Sequence, residues 1–196
     1  MIRVKPLYLA WPLLAAAAFG LSGCAQSASA SKTPSTLEVT ASIQELMQSE
    51  VDPAADALWD SVATITSASG TEELQPRSDE DWKTVRHHAI TLVEAANLLA
   101  MNGRRVAHEG KTIEDSHIAG ILSAEKIQQA IDKDREAFLQ RARALQVASA
   151  QALAAIDSRD AAALTVAGGH LDEACEQCHL KYWYPDGGAP GLPAAP

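Results

Sequence analysis

Cysteine, basic residues and the signatures of common enzymes are scarce or missing in this sequence. Only three of its 196 residues are cysteine, so no second Cys pair exists that could complete a structural zinc site. The 16 Lys and Arg residues face 25 Asp and Glu residues, and the net charge of -9 argues against nucleic acid or an anionic bilayer surface as a partner. No G-x-S-x-G, H-E-x-x-H, Walker or G-x-G-x-x-G pattern is present, so we expect a protein that is not an enzyme.

The sequence also lacks an apolar run long enough for a confident membrane span, although it begins with a short one. Arg3 and Lys5 precede an apolar stretch from Leu7 to Phe19, and the letters LSGC, which end at Cys24, resemble a lipobox. This order is typical of a bacterial lipoprotein signal peptide, which we predict over residues 1–23. In the alternative interpretation, Cys24 is an ordinary residue of a signal peptide that is cleaved further along.

Cleavage before Cys24 gives a lipidated first residue, and the protein is then anchored to a membrane rather than spanning it. We therefore predict a location on the periplasmic side of a bacterial membrane, with Ala25 favouring the outer membrane. Removal of Arg3 and Lys5 from the 16 basic residues leaves 14 against 25 acidic ones, a formal charge of -11. This charge favours a basic docking partner.

Composition divides the rest of the chain into three parts. Residues 24–40 are rich in Ser, Ala and Thr and are predicted to be a flexible tether. Residues 185–196 hold most of the late Gly and Pro residues and are predicted to be an irregular tail. The folded domain is therefore expected over residues 41–184.

Four segments of this domain have apolar residues at helical spacing, whereas the alternation typical of strands is scarce. The third segment repeats its apolar residues every seven positions, which is the spacing of a helix-bundle seam. We predict an all-α fold, an antiparallel up-down four-helix bundle. The predicted helices are Ser42–Ile65, Glu80–Asn102, Ser123–Asp157 and a last helix that Ser158 caps and that continues to Tyr182.

Local signals give further expectations about these helices. Ser42 and Glu45 have the spacing of a capping box, and Asp52-Pro53 predicts a kink or a restart within the first helix. The Gly168-Gly169 pair leaves two alternatives open. Either the last helix begins after the pair, or the two glycines permit close helix packing.

The most specific motif is Cys175-Glu176-Gln177-Cys178-His179, which reads C-x-x-C-H. It is the attachment signature of a c-type haem, in which each thiol forms a thioether with one vinyl group and His179 ligates the iron. A disulfide, a redox dithiol or half of a zinc site are the alternatives for the two cysteines. Both cysteines lie on the apolar face of the predicted last helix, so we expect one covalent haem c in the core of the bundle.

With this motif in the final helix and Tyr182 three residues past the histidine, residues 40–184 resemble the cytochrome c prime family of four-helix-bundle haem proteins. The resemblance implies one of two sub-types. In one, the iron is five-coordinate and takes up carbon monoxide or nitric oxide; in the other, a Met of the first helix ligates the iron and the protein is a low-spin electron carrier. Met47 matches the position of that Met. The sequence departs from the family at Trp183, where a basic residue is common.

The motif and Met47 together favour a lipid-anchored electron carrier with haem held by His179 and Met47. Two alternatives remain: a five-coordinate haem protein that binds or scavenges nitric oxide or carbon monoxide, and a structural lipoprotein without haem. The expected partners are a basic redox protein and the membrane, with a homodimer left open. His88 borders the apolar face and could approach the haem, and a loop histidine could ligate iron in place of Met47. The remaining histidines are expected on the surface: His87, His108, His117 and His170.

Overall fold

The computed structural model of the chain describes residues 38–185, which are mostly helical with one small two-stranded sheet. The expectation of a helical fold is thereby confirmed in outline. The predicted signal peptide, Cys24, the tether up to residue 37 and the tail beyond Pro185 lie outside the described residues. The elements in chain order are α1 (Ile43–Leu46), a π-helical segment (Met47–Val51), α2 (Asp52–Asp60), β1 (Thr64–Ser67), β2 (Gly70–Glu73), α3 (Asp79–Leu99), α4 (Ala124–Lys133), α5 (Arg135–Asp157) and α6 (Ala161–Tyr182).

The helices share one apolar core. α3 packs along α5 and α5 along α6, while α2 contacts both α3 and α6. The predicted seven-residue repeat is buried throughout: Ile131 lies on α4, and Phe138, Leu145 and Ala152 lie on α5. Among the described residues, no helix combines the length and the apolar character needed to cross a membrane.

The first helical stretch begins with the predicted capping box. Ser42 Oγ accepts a hydrogen bond from the Glu45 N–H at 3.1 Å, and Glu45 Oε2 accepts one from the Ser42 N–H at 2.8 Å. The irregularity expected near Pro53 is the π-helical segment, in which the Asp52 N–H donates to the Met47 carbonyl five residues earlier. Pro53 has no N–H, and its ring crowds the carbonyl four residues before it. The wider π turn directly before Pro53 relieves this conflict.

The prediction that the first helix extends to Ile65 is wrong. α2 ends at Asp60, and β1 pairs with β2 in an antiparallel hairpin with Ser67 opposite Gly70. Residues 62–66 are rich in β-branched side chains, which favour extended backbone over helix. Ile65 is therefore not part of the core, and 48% of its surface is exposed.

The single helix predicted over Ser123–Asp157 is two helices, α4 and α5. Ser123 caps α4 as expected. Asp134 interrupts the helical backbone, with φ -143° and ψ 70°, and its side chain accepts a hydrogen bond from the Ala137 N–H at 3.0 Å. Because Asp readily caps the first turn of a helix, Asp134 starts a new helix without interrupting the apolar seam.

The predicted cap of the last helix, Ser158, is also wrong, because Ser158 ends α5 instead. Asp160 caps α6 by accepting a hydrogen bond from the Ala163 N–H at 2.9 Å. Both glycines of the pair lie inside α6, so the alternative in which the helix begins after them is excluded. Close packing is found at Gly168, whose carbonyl accepts a hydrogen bond from Trp59 Nε1 at 3.0 Å.

The long connection between α3 and α4 is packed against the core, although its sequence is polar. Arg104, Val106 and Ile113 are buried. The Arg104 guanidinium donates hydrogen bonds to the carbonyls of Leu98, at 2.8 Å, and of Ala41. This connection therefore holds the end of α3 and the start of α1 together.

Candidate haem site

A cavity lies between α5, α6 and the first helical stretch, which consists of α1, the π-helical segment and α2. It holds about 250 Å³, or about 1010 Å³ when the atom-free space continuous with solvent is included. The first value is below the usual range for ligand pockets, about 300–1,000 Å³, so a large planar ligand would also occupy the mouth of the cavity. The cavity is lined by Ile43, Met47, Val51, Asp52, Ala55, Asp56, Trp59, Leu99, Phe138, Arg141, Ala142, Leu145, Asp172, Ala174, Cys175, Glu176, Cys178, His179 and Trp183.

The C-x-x-C-H motif lies on the wall of this cavity. α6 runs through the motif without a break and ends at Tyr182. Cys175, Cys178 and His179 stand at helix positions i, i+3 and i+4, which share one face. All three residues are half-buried, and both thiols are free.

The two thiols are held in their neutral form. Burial raises the pKa of Cys175 to about 12, with further contributions from the carboxylates of Asp172 and Asp52. Burial also raises the pKa of Cys178 to about 11, although the positive charge of Arg141 opposes this shift. A redox dithiol depends on a thiolate that is stabilised by a lowered pKa. The environment of these cysteines therefore does not favour the redox-dithiol alternative.

His179 is packed among aromatic residues. Its ring centroid lies 5.9 Å from that of Trp183 and 6.0 Å from that of Tyr184. Burial lowers the pKa of His179, an effect that the charge of Glu176 partly opposes. A neutral imidazole keeps a nitrogen lone pair for a metal ion. The segment after α6 is fixed by two hydrogen bonds, from the Leu122 N–H to the Trp183 carbonyl at 2.8 Å and from Tyr184 Oη to Glu176 Oε2 at 2.7 Å.

Met47 is half-buried and lines the same cavity as the motif. It is the first residue of the π-helical segment, a type of turn that is frequent at functional sites. The turn before it is fixed by two backbone hydrogen bonds, from the Ile43 N–H to the Arg105 carbonyl at 2.8 Å and from the Gln44 N–H to the Val106 carbonyl at 3.1 Å. The structure thus brings Met47 and the motif to one cavity, while ligation of iron by Met47 stays a prediction.

The charged residues of the cavity were not identified from the sequence. Four carboxylates line it, those of Asp52, Asp56, Asp172 and Glu176, together with the guanidinium of Arg141. Burial raises the pKa of Asp52, and the negative charge of Asp56 adds to the shift. Asp172 and Glu176 lie on α6, three residues before Cys175 and His179, so helical spacing alone places them beside the motif. Asp52 and Asp56 lie on α2 and Arg141 lies on α5, so only the fold brings these three to the cavity.

Tyr182, one of the residues on which the resemblance depends, is a core residue of this structure. Only 1% of its surface is exposed, and its ring packs edge-on against Phe138 with the centroids 5.6 Å apart. Its hydroxyl group has no hydrogen-bond partner among the described residues. Tyr182 therefore supports the wall of the cavity through Phe138, which lines it.

None of the other histidines lines the cavity. His88 is half-buried but faces a separate groove beside the β-hairpin. His108 is exposed and lies 2.8 Å from Glu45, measured from Nε2 to Oε2. The expected surface positions of the remaining histidines are confirmed for His87, His117 and His170.

Cys24 lies outside the described residues, so its lipidation stays a prediction. Residues 38–185 contain no group of three or more His, Cys, Asp or Glu side chains arranged to hold a metal ion by themselves. No protein-family model, curated protein or solved structure matches this chain.

Proposed function

We propose that this protein is a lipid-anchored c-type cytochrome that carries single electrons on the periplasmic side of a bacterial membrane. The observation that carries the proposal is the cavity at which two thiols, an imidazole and a thioether meet, those of Cys175, Cys178, His179 and Met47. These groups fit one haem c: the sulfurs of Cys175 and Cys178 would attach it covalently, and His179 and Met47 would ligate its iron. The proposal corresponds to the methionine-ligated sub-type of the cytochrome c prime family.

The rest of the cavity wall supports this cofactor. Apart from the four proposed haem-binding residues and the five charged ones, the lining residues are all apolar, and Trp59, Phe138 and Trp183 supply aromatic rings. An apolar lining of this kind limits the access of solvent to a bound metal centre and tunes its potential. A bound haem supplies an iron that gains and loses one electron. The chain supplies the attachment sulfurs, keeps His179 neutral and shields the centre.

We further propose that the helices form an antiparallel up-down four-helix bundle around this haem. Four helices contact one another in a closed cycle, α2 with α3, α3 with α5, α5 with α6 and α6 with α2, which supports this arrangement. α1 and the π-helical segment extend α2, and α4 precedes α5, so each side of the bundle is one helical stretch.

The proposed partner is a basic redox protein, and no enzymatic activity is proposed. After cleavage before Cys24, 14 basic residues face 25 acidic ones, and this formal charge of -11 and the four carboxylates that line the cavity support a basic partner. Opposite charges of this kind steer two proteins together and orient them at encounter.

The ferrous absorption spectrum, with and without carbon monoxide, tests the proposed function. A carrier with both His179 and Met47 on iron gives a low-spin spectrum that carbon monoxide changes slowly or not at all. Rapid, tight binding of carbon monoxide would favour the five-coordinate, gas-binding alternative. A colourless exported protein would favour the structural lipoprotein.

A further inference from the structure

Apart from His179, Arg141 is the one basic residue among the described residues that line the cavity. It lies on α5, is half-buried, and also borders the outer groove between α5 and α6. Its guanidinium forms no ion pair or hydrogen bond with any of residues 38–185. A guanidinium carries five N–H donors, and no side chain or backbone carbonyl of residues 38–185 engages those of Arg141, so they are available to an anionic group in the cavity. Arg141 therefore has the properties of a ligand contact.

The carboxylates of the cavity do not fill this role. Asp172 and Glu176 line the same cavity but form no ion pair with Arg141. Glu176 is already engaged, because its Oε2 accepts the hydrogen bond from Tyr184 Oη at 2.7 Å. A further anionic group in this cavity is repelled by the acidic residues and attracted at Arg141 alone.

We propose that Arg141 binds a propionate carboxylate of the haem and thereby orients the ring in the cavity. This inference rests on the proposed haem function, since the propionates come with the cofactor. A planar guanidinium can donate two parallel hydrogen bonds to a carboxylate, which fixes the direction of the group as well as its position. Arg141 is a positioning residue and is not an iron ligand.

The test uses the full-length, exported holoprotein and three variants, Arg141→Gln, Arg141→Lys and Arg143→Gln. Arg143 is the matched control: it lies on the same helix and carries the same charge, but it is exposed and does not line the cavity. Haem content is measured after denaturation in alkaline pyridine, and the midpoint potential is measured at pH 7 in a buffer without small carboxylates.

We expect Arg141→Gln to keep its haem and to lower the equilibrium constant for reduction about tenfold. For one electron, this corresponds to a decrease in the midpoint potential of about 59 mV. The reason is that loss of the positive charge leaves the carboxylate unpaired, and both changes stabilise the ferric state. Arg141→Lys keeps the charge but loses the fork geometry, so a smaller decrease is expected. Arg143→Gln should change the constant less than about twofold, because water and salt screen an exposed charge.

Equal changes of the midpoint potential in Arg141→Gln and Arg143→Gln would overturn the inference. Arg141 would then act only through its positive charge, without a specific contact to the propionate. If added acetate shifts the midpoint potential of the wild type but not that of Arg141→Gln, Arg141 binds a free carboxylate and not a haem propionate. That result would also overturn the inference. If Arg141→Gln fails to fold, the propionate proton resonances of the ferric Arg141→Lys protein decide. Their displacement relative to Arg143→Gln supports the contact, and unchanged resonances contradict it.

Wild-type protein without haem contradicts the proposed function and this inference together. Haem-loaded Arg141→Gln with an unchanged potential contradicts the role of Arg141 alone.

Discussion

At the residue scale, burial decides the chemistry of the two motif cysteines. It raises their pKa values from 9.0 to about 12 for Cys175 and to about 11 for Cys178. As pH rises above 9, the thiols of the unfolded chain lose their protons first, while those of the folded chain stay protonated. The unfolded state is therefore stabilised, and the contribution of these thiols to folding stability is lost from pH 9 up to the folded-state pKa values.

We predict that the protein produced without haem becomes less stable between pH 9 and pH 11. The expected decrease in the free energy of unfolding is up to about 1.4 kcal/mol per pH unit for each thiol. Urea unfolding at several pH values measures it. The double variant Cys175→Ala, Cys178→Ala lacks this component, and so does haem-loaded protein, because thioethers do not titrate. The same pH dependence in all three proteins would contradict the prediction.

The proposed role of Met47 as an iron ligand can be tested by substitution. If its sulfur binds the iron, Met47→Ala should convert the low-spin ferrous spectrum into a five-coordinate one and make carbon monoxide binding rapid. Met101→Ala is the matched control, because Met101 is also partly buried but contacts Arg104 and does not line the cavity. Identical spectra of Met47→Ala and wild type would show that this sulfur is not a ligand.

At the scale of the helices, substitutions in the glycine pair of α6 allow the contributions of helix propensity and of side-chain packing to stability to be measured separately. A Cβ atom added at Gly168 would lie 3.2 Å from Trp59 Cδ1, whereas one added at Gly169 meets nothing within 4 Å. Both Gly→Ala changes gain about 1 kcal/mol of helix propensity. At Gly168 the crowding of Trp59 costs about 1–3 kcal/mol.

We therefore predict that Gly169→Ala raises the free energy of unfolding by about 0.5–1 kcal/mol, while Gly168→Ala leaves it unchanged or lowers it. Urea denaturation of the two variants beside wild type provides the measurement. Equal stabilisation by both substitutions would mean that Trp59 can move aside without loss of stability. The close contact between Gly168 and Trp59 would then not contribute to the free energy of unfolding.

The helical parts of the fold could be predicted because apolar spacing and capping residues are local. The capping box at Ser42 and the buried faces of α3, α5 and α6 follow from such patterns. The hairpin was missed because the apolar spacing of the first helix continues formally to Ile65, and β-branched residues end the helix earlier. Asp134 was missed because the apolar seam continues across the break that it makes.

At the scale of the whole molecule, only part of the candidate site could be predicted from the sequence. The motif residues Cys175, Cys178 and His179 are adjacent in the chain, so their common face follows from helix geometry alone. Asp52, Asp56 and Arg141 come from other helices than the motif, and their proximity to it depends on how α2, α5 and α6 pack. The apolar residues of the connection between α3 and α4 were overlooked because polar neighbours dominate that segment.

The charge of the whole molecule leads to a prediction about its partner. After cleavage before Cys24, 14 basic residues against 25 acidic ones give a charge of -11, and four carboxylates line the cavity. Electron transfer to a basic redox protein should therefore slow as ionic strength rises, because salt screens the attraction. Stopped-flow measurement with a basic and an acidic acceptor provides the comparison. A rate with the basic acceptor that is independent of salt would argue against electrostatic docking.

The proposed covalent haem on α6 is tested by the haem content of the denatured, purified, exported protein. After extraction with acidified acetone, one haem per chain should stay with the polypeptide and give a pyridine haemochrome spectrum. The double variant Cys175→Ser, Cys178→Ser should lose it. A colourless wild-type protein, or haem that is extracted completely from it, would show that no covalent haem is attached to α6.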